Sequence, residues 1–404
     1  MANSKRNGGM KNIVANRRKI KKADLVVGIP SLNEADNISF VVKQADIGLT
    51  KYFKDKKAVI INVDNNSSDG TKKEFLGTKT KTPKIYISTP GEIKGKGNNF
   101  FNLFNQIIML KAKAVVVVDA DLLSITPEWI KWFCESILEG NDYTTPIYAR
   151  CEYDGTITNN ICYPLIYGLF GQNIRQPIGG DFSFSPELAQ RCLKQKWHKT
   201  TKQYGIDIFM TMNAVLGGLK IAQVGLGAKI HKPSAPKLGP MFSQVVTTLF
   251  KNIQTSKDKW TKITSIENLP RYGKKELEKP QTLGLDYKGI KATSIFNFHA
   301  NEDILKQALS PSVFQKLKKM YVQEKIEINK ELWYKIVYDI YYAYDSTEMG
   351  GGLVEALKPL YWGRVASFFK STLDKPFVEC EKEINDQAKL FWKNRNYLIK
   401  KYKK

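Results

Sequence analysis

Short apolar runs alternate with longer amphipathic segments over the first third of the chain. Residues 25–29, 58–63, 84–88 and 114–118 are apolar and rich in β-branched side chains, which predicts strands. The segments between them place apolar residues at helical spacing, as at Ile38, Val41, Val42 and Ala45. A strand followed by a helix, repeated in this way, predicts an α/β fold with a mostly parallel sheet.

The pattern becomes helical in the second half of the chain. Two aromatic and aliphatic stripes, beginning at Phe242 and at Trp333, are typical of helices that bury one face. We interpret these stripes as core or as a subunit interface, which leaves a homodimer open, and not as a carbohydrate platform. The three glycines at 350–352 and Pro359 are expected to interrupt the later helices. The predicted organisation is a disordered basic arm at 1–22, an α/β domain at 23–245 and a mostly helical region at 246–404.

Composition and charge narrow the class of protein. The chain has 404 residues, of which 42% are hydrophobic and 25% charged, and a formal net charge of +24. Such a charge suits nucleic acid, an anionic membrane surface or a phosphorylated small substrate as partner. No run of about 18 apolar residues and no signal-peptide core occurs, so we expect a cytoplasmic protein without stable membrane insertion. The five cysteines form no CxxC pair, which favours reduced thiols.

Two carboxylates follow the most apolar strand directly. Asp119 and Asp121 come after four consecutive valines, and alternate side chains of an extended chain point the same way. Ligands of parallel sheets bind beyond the carboxyl ends of the strands. Carboxylate oxygens there suit Mg²⁺ or Mn²⁺, which would neutralise a phosphate-bearing substrate. The alternative is a turn that ends the strand before a helix opened by Thr126 and Pro127.

Two further polar segments follow the predicted strands. Residues 64–71, Asp-Asn-Asn-Ser-Ser-Asp-Gly-Thr, offer side-chain oxygens and backbone N–H groups at the start of a helix, as a nucleotide-gripping loop does. Gly95 and Gly97 flank Lys96, an arrangement that allows a backbone to approach closely while a lysine reaches a phosphate. A solvated lysine in a flexible turn would have the same sequence.

These segments carry a resemblance to a known family. Residues 29–34 (Ile-Pro-Ser-Leu-Asn-Glu), 64–71 and 118–121 (Val-Asp-Ala-Asp) match, in order and spacing, the signatures of GT-A glycosyltransferases of the family-2 type. Segments 148–150, 176–181, 204–208, 228–231 and 238–244 are similar to those of glucosyl-3-phosphoglycerate synthases and their relatives that make mannosylglycerate.

The resemblance implies a fold and a reaction. The fold would be a GT-A, Rossmann-like nucleotide-sugar-binding domain with a mostly helical C-terminal extension. The reaction would be a retaining transfer of glucose or mannose from a UDP- or GDP-hexose to the 2-hydroxyl of a glycerate-type acceptor, dependent on Mg²⁺ or Mn²⁺. The acceptor would be 3-phosphoglycerate, glycerate or glucosylglycerate, and the product a compatible solute or its precursor.

The resemblance also implies a set of site residues. Those expected to bind the nucleotide sugar are Pro30, Leu32, Glu34, Asp64, Ser67, Lys96, Asp119, Ala120 and Gly180. The metal ligands would be Asp119, Asp121 and His231, and the catalytic carboxylates Asp181 and Asp207. The acceptor would be bound by Arg150, Thr156, Thr158 and Lys232. Thr156 stands where the relatives have an arginine that grips the acceptor phosphate, which favours an unphosphorylated acceptor as a competitor.

Two other classes of function stay open at this stage. A glycosyltransferase acting on a polyprenyl phosphate at a membrane surface would share the early motifs, but we find no amphipathic or spanning anchor. A basic nucleic-acid-binding protein would explain the charge while leaving Asp119 and Asp121 without a role. We therefore expect no nucleic-acid partner.

Overall fold

One sheet organises the α/β part of the chain. The computed structural model describes residues 12–232, 238–276, 278, 280 and 284–403, and within them nine strands form one sheet. The strands are β1 (Ile13–Ala15), β2 (Leu25–Ser31), β3 (Ala58–Asp64), β4 (Lys84–Ser88), β5 (Ala114–Val117), β6 (Tyr143–Ala149), β7 (Phe182–Phe184), β8 (Ile221–Ala228) and β9 (Arg271–Gly273). Their order across the sheet is β1-β4-β3-β2-β5-β7-β6-β8-β9.

The centre of the sheet is parallel, as the sequence predicted. β2 pairs in parallel with β3 and with β5, and β3 pairs in parallel with β4. All residues of β2 and β5 are buried, which explains their uninterrupted apolar sequence. Because these strands are parallel, their carboxyl ends meet at one edge, where Ser31 lies beside Asp64. The predicted α/β class is confirmed.

Helices account for most of the remaining chain. They are α1 (Ile38–Tyr52), α2 (Thr71–Gly77), α3 (Lys96–Met109), α4 (Pro127–Leu138), α5 (Tyr163–Phe170), α6 (Pro186–Lys194), α7 (Ile206–Gly217), α8 (Leu238–Gln254), α9 (Lys257–Trp260), α10 (Tyr287–Ala300), α11 (Glu302–Ala308), α12 (Pro311–Val322), α13 (Lys330–Ser346), α14 (Gly350–Thr372), α15 (Phe377–Lys393) and α16 (Arg395–Ile399). A π-helical turn at Thr158–Cys162 precedes α5. Within the described residues, no helix has both the length and the apolar character needed to cross a bilayer.

Helices cover both faces of the central strands. On one face, apolar residues of α1 and α4 pack with alternate residues of β2, such as Val27 and Ile29. On the other face α3 comes so close to β2 that a Cβ on Gly28 would lie 2.6 Å from Cδ2 of Leu103. The central strands therefore form the middle of three layers.

The chain divides into two compact units. The first comprises the described residues within 1–148, 179–234 and 270–277, and the second those within 149–178, 235–269 and 278–404. The boundary differs from the predicted one at 245, since residues 149–178 belong to the mostly helical unit. Of the arm predicted at 1–22, residues 1–11 lie outside the described part. Ile13–Ala15 are ordered as β1, because they pair antiparallel with β4 at the edge of the sheet.

The second unit is built on the predicted apolar stripes. Trp333, Ile336 and Tyr341 of α13 are fully buried, as a core interpretation requires. Pro359, however, does not interrupt its helix, because α14 continues through it from Gly350 to Thr372. The hydroxyl groups of Ser294 and Tyr321 donate hydrogen bonds of 2.7 and 3.2 Å to the carbonyl oxygen of Pro359. These contacts and packing against α10 offset the cost of about 3 kcal/mol that proline carries inside a helix.

The two glycines beside Lys96 have a structural reason. A Cβ on Gly97 would lie 2.1 Å from the carbonyl oxygen of Thr201, and one on Gly95 would lie 2.4 Å from that of Lys202. Gly97 also donates its N–H to the carbonyl oxygen of Gln203 at 3.1 Å. The glycines therefore let the start of α3 contact the segment before α7, which fixes the position of Lys96.

We predict that Gly97→Ala destabilises the protein by about 1–3 kcal/mol, because the added methyl group would collide with backbone atoms that cannot give way. Gly77→Ala is the matched control, since Gly77 ends α2 and its Cβ would meet nothing within 4 Å. The control should be neutral or stabilised by up to about 1 kcal/mol. Urea denaturation of both variants measures the difference, and equal stabilities would contradict the close approach.

Candidate functional site

Carboxylates and lysines alternate in space at the strand ends of the first unit. Nζ of Lys96 lies 3.0 Å from Oδ1 of Asp119 and 3.4 Å from Oδ2 of Asp207. Nζ of Lys229 lies 3.0 Å from Oδ2 of Asp181 and 3.8 Å from Oδ2 of Asp119. Asp119 therefore lies between the two lysines. We call Lys96, Asp119, Asp121, Asp181, Asp207 and Lys229 the carboxylate–lysine cluster.

Five separate elements bring the cluster together. Lys96 begins α3, Asp207 lies in the first turn of α7, and Asp119 follows β5 after one residue. Asp181 directly precedes β7, and Lys229 directly follows β8. The structure thus places the predicted residues Lys96, Asp119, Asp181 and Asp207 at one site, although they are spread over more than 100 positions.

Asp181 is held entirely by groups of the protein. Its side chain is fully buried, and Oδ1 accepts a hydrogen bond of 2.8 Å from the backbone N–H of Asp119. Oδ2 accepts hydrogen bonds from Lys229 and from the hydroxyl group of Tyr148. Gly180 precedes it with a φ of 89°, and a Cβ there would lie 2.2 Å from Oδ2 of Asp119. Asp181 and Gly180 therefore fix the orientation of Asp119.

The pKa values of the carboxylates are shifted in different directions, depending on the charges beside each one. Burial alone would raise the pKa of Asp119, but the charges of Lys96 and Lys229 hold it below its ordinary value. Burial, together with the charge of Asp119, raises the pKa of Asp121. Burial also raises the pKa of Asp207, against the opposing charge of Lys96. Oδ1 of Asp207 is enclosed and accepts no hydrogen bond from a described residue, so it is an unsatisfied buried acceptor.

The cluster carries the charge that a divalent cation would balance. Its four carboxylates and two ammonium groups leave a formal surplus of two negative charges. No described residue donates a hydrogen bond or forms an ion pair with the side chain of Asp121. Nevertheless, no group of three or more His, Cys, Asp and Glu side chains in the described residues stands ready to hold a metal ion. The surplus negative charge and the carboxylate oxygens of Asp119 and Asp121 suit Mg²⁺ or Mn²⁺, although the described side chains are not assembled into a three-ligand site.

His231 lies next to the two aspartates through the backbone. It forms an antiparallel β-bridge with Leu122, and its charge, when present, would lower the pKa values of Asp119 and Asp121. Its Nδ1 lies 2.7 Å from the carbonyl oxygen of Lys232. An imidazole nitrogen can bind a metal ion, so His231 stays a predicted third ligand beside Asp119 and Asp121.

Beside the cluster, the loops after β2 and β3 are joined through Asp64. Oδ1 of this buried carboxylate accepts hydrogen bonds of 2.6 Å from the hydroxyl groups of Ser31 and Ser67. Its Oδ2 accepts from the backbone N–H of Ser67 at 2.8 Å and from the hydroxyl group of Tyr86 at 2.9 Å. The predicted residues Asp64 and Ser67 thus belong to one rigid hydrogen-bonded unit.

The other predicted nucleotide-binding residues lie on the same edge. Pro30 is buried near the end of β2, whereas Leu32 is 48% exposed and lies on the surface of the loop. The backbone N–H of Glu34 donates a hydrogen bond of 2.9 Å to Thr71. Ala120 is buried, and its carbonyl oxygen accepts a hydrogen bond of 2.8 Å from Asn37. These contacts hold the loops together at this edge of the sheet.

Lys232, predicted to bind the acceptor, forms two ion pairs with the segment after β2. Its Nζ lies 2.7 Å from Oε2 of Glu34 and 2.7 Å from Oδ1 of Asp36. Lys232 therefore connects the chain after β8 to the loop after β2, where the nucleotide was expected. Binding of an acceptor by Lys232 would require this ion pair to open.

The other three predicted acceptor residues lie in the second unit. Arg150 forms an ion pair with Asp154 and lines a small pocket together with Thr158 and Arg175. Thr156 is buried, and its hydroxyl group shares a hydrogen bond with that of the fully buried Tyr361. An arginine at position 156 would have to displace Tyr361. Thr156→Arg is therefore a test of packing and not of acceptor preference.

Sequence reasoning missed Lys229, Tyr148, Ser31 and Asn37 as parts of the site. Lys229 was detectable, because it lies two residues before His231 at the end of an apolar strand, where alternate side chains point the same way. Tyr148 and Asn37 gave no such signal. Their hydrogen-bond partners lie 33 and 83 positions away along the chain.

We predict that Tyr148→Phe costs more stability than Tyr143→Phe. Both hydroxyl groups belong to buried side chains of β6, but Tyr148 donates to the carboxylate of Asp181, whereas Tyr143 bonds Thr211 at 2.9 Å. Loss of a bond to a charged group costs about 1.5–3 kcal/mol, against about 0.5–1.5 kcal/mol for a neutral pair. Urea denaturation measures both, and the reverse order would show that Asp181 does not depend on Tyr148.

Comparisons with known proteins give results at the level of structure only. No family model matches the chain, and no curated protein matches it.

Solved structures of glucosyl-3-phosphoglycerate synthase from Mycobacterium tuberculosis are similar to this chain. The complex with Mn²⁺, uridine diphosphate and phosphoglyceric acid has 24% sequence identity and a TM-score of 0.46, over 57% of this chain and 78% of that one. The complex with Mg²⁺ and uridine diphosphate has 24% sequence identity and a TM-score of 0.46, over 57% of this chain and 79% of that one. The complex with Mn²⁺, uridine-diphosphate-glucose and phosphoglyceric acid has 23% sequence identity and a TM-score of 0.46, over 57% of this chain and 79% of that one. The resemblance expected from the sequence is confirmed to this extent, and residue roles do not transfer at such a distance.

Proposed function

We propose that this protein is a metal-dependent glycosyltransferase that moves a hexose from a nucleoside-diphosphate sugar to the 2-hydroxyl of a glycerate-type acceptor. The observation that carries the proposal is the carboxylate–lysine cluster beside the loop network of Asp64. A site for a nucleotide sugar needs a cradle for the nucleoside, positive charge for two phosphates and carboxylates for sugar hydroxyls. All three lie on one edge of the sheet in the first unit.

The nucleoside would bind across the loops after β2 and β3. Asp64 and Ser67 form a rigid floor, and the exposed side chain of Leu32 offers an apolar surface to a base. Glu34 would reach the ribose when Lys232 releases it. UDP and GDP sugars both remain candidates, because nothing in this edge distinguishes a pyrimidine from a purine.

The diphosphate would bind at Lys96. This ammonium group already lies within 3.4 Å of two carboxylates, so a phosphate would exchange one of these partners for a stronger one. Asp119 and Asp121, with His231, would hold Mg²⁺ or Mn²⁺. When bound, the ion supplies positive charge that stabilises the diphosphate as it leaves.

The sugar would be oriented by Asp207. Its Oδ1 accepts no hydrogen bond from a described residue and its Oδ2 pairs with Lys96, so a bound sugar hydroxyl would supply the missing donor once the enclosed carboxylate turns toward it. Asp181 would act as a positioning residue, since its oxygens are occupied by Asp119, Tyr148 and Lys229. As the transition state at carbon 1 is cation-like, the surplus negative charge of the cluster favours it.

In this arrangement Asp121 would face the cation, Asp207 would face the sugar and Asp181 is held by the protein, so none of them is assigned as a nucleophile. The proposal therefore includes a front-face mechanism, in which the leaving phosphate takes the proton of the acceptor hydroxyl and the donor's α configuration is kept. Rate acceleration would come mainly from orientation of donor and acceptor.

We predict that turnover requires a divalent cation. We also predict that Asp121→Asn lowers kcat by about 100-fold or more while leaving the fold intact. The amide keeps the shape but removes a charge that would face the cation, and no described residue forms a hydrogen bond or an ion pair with the side chain of Asp121. Asp55→Asn is the matched control, because this carboxylate is 72% exposed and pairs only with Lys56. Product formation with Mn²⁺, Mg²⁺ or chelator measures the effect. Full activity in the presence of chelator would contradict the proposed metal site.

The reaction itself is tested with a panel of donors and acceptors. We expect UDP-glucose, GDP-glucose or GDP-mannose to transfer its hexose to glycerate, 3-phosphoglycerate or glucosylglycerate, with an α linkage in the product. Proton NMR of the anomeric signal identifies both the product and its configuration. A β-linked product would contradict the front-face mechanism, and no turnover on the whole panel would contradict the glycerate-type acceptor.

The acceptor preference is a separate prediction. The guanidinium groups of Arg150 and Arg175 are paired with Asp154 and Glu381, and position 156 has no arginine. A charge-assisted contact to a phosphate contributes about 1.5–3 kcal/mol, and its loss should make preference for 3-phosphoglycerate over glycerate weak or reversed. The ratio of kcat/KM for the two acceptors measures this. A strong preference for 3-phosphoglycerate would show that another basic residue binds the acceptor phosphate.

A further inference from the structure

The second unit contains a pocket of about 370 Å³ that none of the predicted site residues line. Its walls come from the segment before α13, from the first turn of α13, from the later half of α14 and from α15. The lining side chains central to the argument are Glu327, Lys330, Arg364, Phe368, Lys370 and Lys375. Apolar atoms of Ile326 and Ile328 complete the wall. The pocket thus combines an apolar surface with several charged groups.

Arg364 is the unusual member of this wall. It is only 5% exposed, yet no carboxylate among the described residues pairs with it within 4 Å. Nε donates a hydrogen bond of 2.9 Å to Gln387, and Nη1 donates one of 3.1 Å to the carbonyl oxygen of Ile328. No described residue accepts a hydrogen bond from Nη2. A buried guanidinium group therefore lines the pocket with part of its donor capacity unused.

The carboxylates of Glu383 and Glu331 act on Arg364 only through space, since neither forms an ion pair or a hydrogen bond with its guanidinium group. A buried charge is normally paired, because transfer of an ion from water into a protein interior is unfavourable. Burial lowers the pKa of Arg364 to about 10, so the side chain is still charged at neutral pH. The nearest comparison in the same unit is Arg175, which is similarly buried but forms a two-pronged ion pair with Glu381 at 2.7 and 3.0 Å.

The lysines of the pocket add to this charge. Lys330 and Lys375 share one partner, Glu383, at 3.0 and 3.5 Å. Lys370 pairs with Glu327 at 3.3 Å, but both side chains are more than 60% exposed, so the pair is easily exchanged. Glu331 is the third acidic residue of the lining, against four basic ones. The pocket therefore carries a net positive charge.

We propose that this pocket binds a small organic anion whose carboxylate or phosphate oxygens bond to Arg364 and whose apolar part contacts the apolar atoms of the lining. The planar guanidinium group offers directed donors to either anion, and Lys370 and Lys375 lie in the same lining for a second oxygen. The inference does not depend on the proposed glycosyl transfer, since it uses none of its residues.

The test is isothermal titration calorimetry of the full chain at fixed ionic strength with phenyl phosphate, with benzoate and with neutral benzamide. We expect saturable binding of one of the two anions and none of benzamide. The stronger anion identifies the oxygen group that the pocket prefers. Failure of both anions to bind would overturn the proposal.

Variants assign the binding to this pocket. Arg364→Gln should lower the affinity for the anion by about tenfold or more, as expected for loss of a charge-assisted contact. If this variant does not fold, Lys370→Gln combined with Lys375→Gln decides, and binding should weaken by about threefold or more. The control is Lys382→Gln, which removes a 74% exposed lysine of α15 that pairs with Asp386 and does not line the pocket. Equal affinity in the pocket variants and the control would overturn the assignment.

Discussion

Burial of carboxylates at the ends of parallel strands is the constraint on which the first unit depends. Asp119 and Asp181 lie where the sheet presents its carboxyl edge, and Asp181 is fully buried. An unpaired buried carboxylate would carry a penalty of several kcal/mol, so the fold brings Lys96 and Lys229 to within 3.0 Å of them. The same lysines then provide positive charge for a phosphate-bearing ligand. The lysines that stabilise the buried carboxylates are therefore the same ones that would contact the ligand.

Close backbone approach is the second requirement of this arrangement. Lys96 can reach Asp119 and Asp207 because Gly95 and Gly97 let α3 begin against the chain before α7. Gly180 lies against the carboxylate of Asp119 for a related reason. These glycines look like ligand-binding features in the sequence, but their immediate neighbours are atoms of the protein. A ligand would benefit indirectly, from charged groups that are already oriented.

The second unit treats its buried charges in two ways. Arg175 is neutralised by Glu381, as a structural arginine usually is, whereas Arg364 is surrounded by an amide, a carbonyl group and a pocket. Likewise, the polar side chain of Thr156 is satisfied by Tyr361 and is not available to a ligand. Which polar residues are structural and which are available follows from their partners and not from their type.

The sequence alone determined the α/β class, the central strands and the polar character of their carboxyl ends. Apolar runs of β-branched residues specify buried strands locally, and each polar segment follows its strand directly in the chain. It also identified Asp64, Lys96, Asp119, Asp181 and Asp207 as candidates. Tertiary structure alone decided the partners of Asp181, the ion pair of Lys232 with Glu34, the burial of Thr156 and the uninterrupted course of α14. These depend on contacts between residues far apart in the chain, whose energies no local pattern encodes.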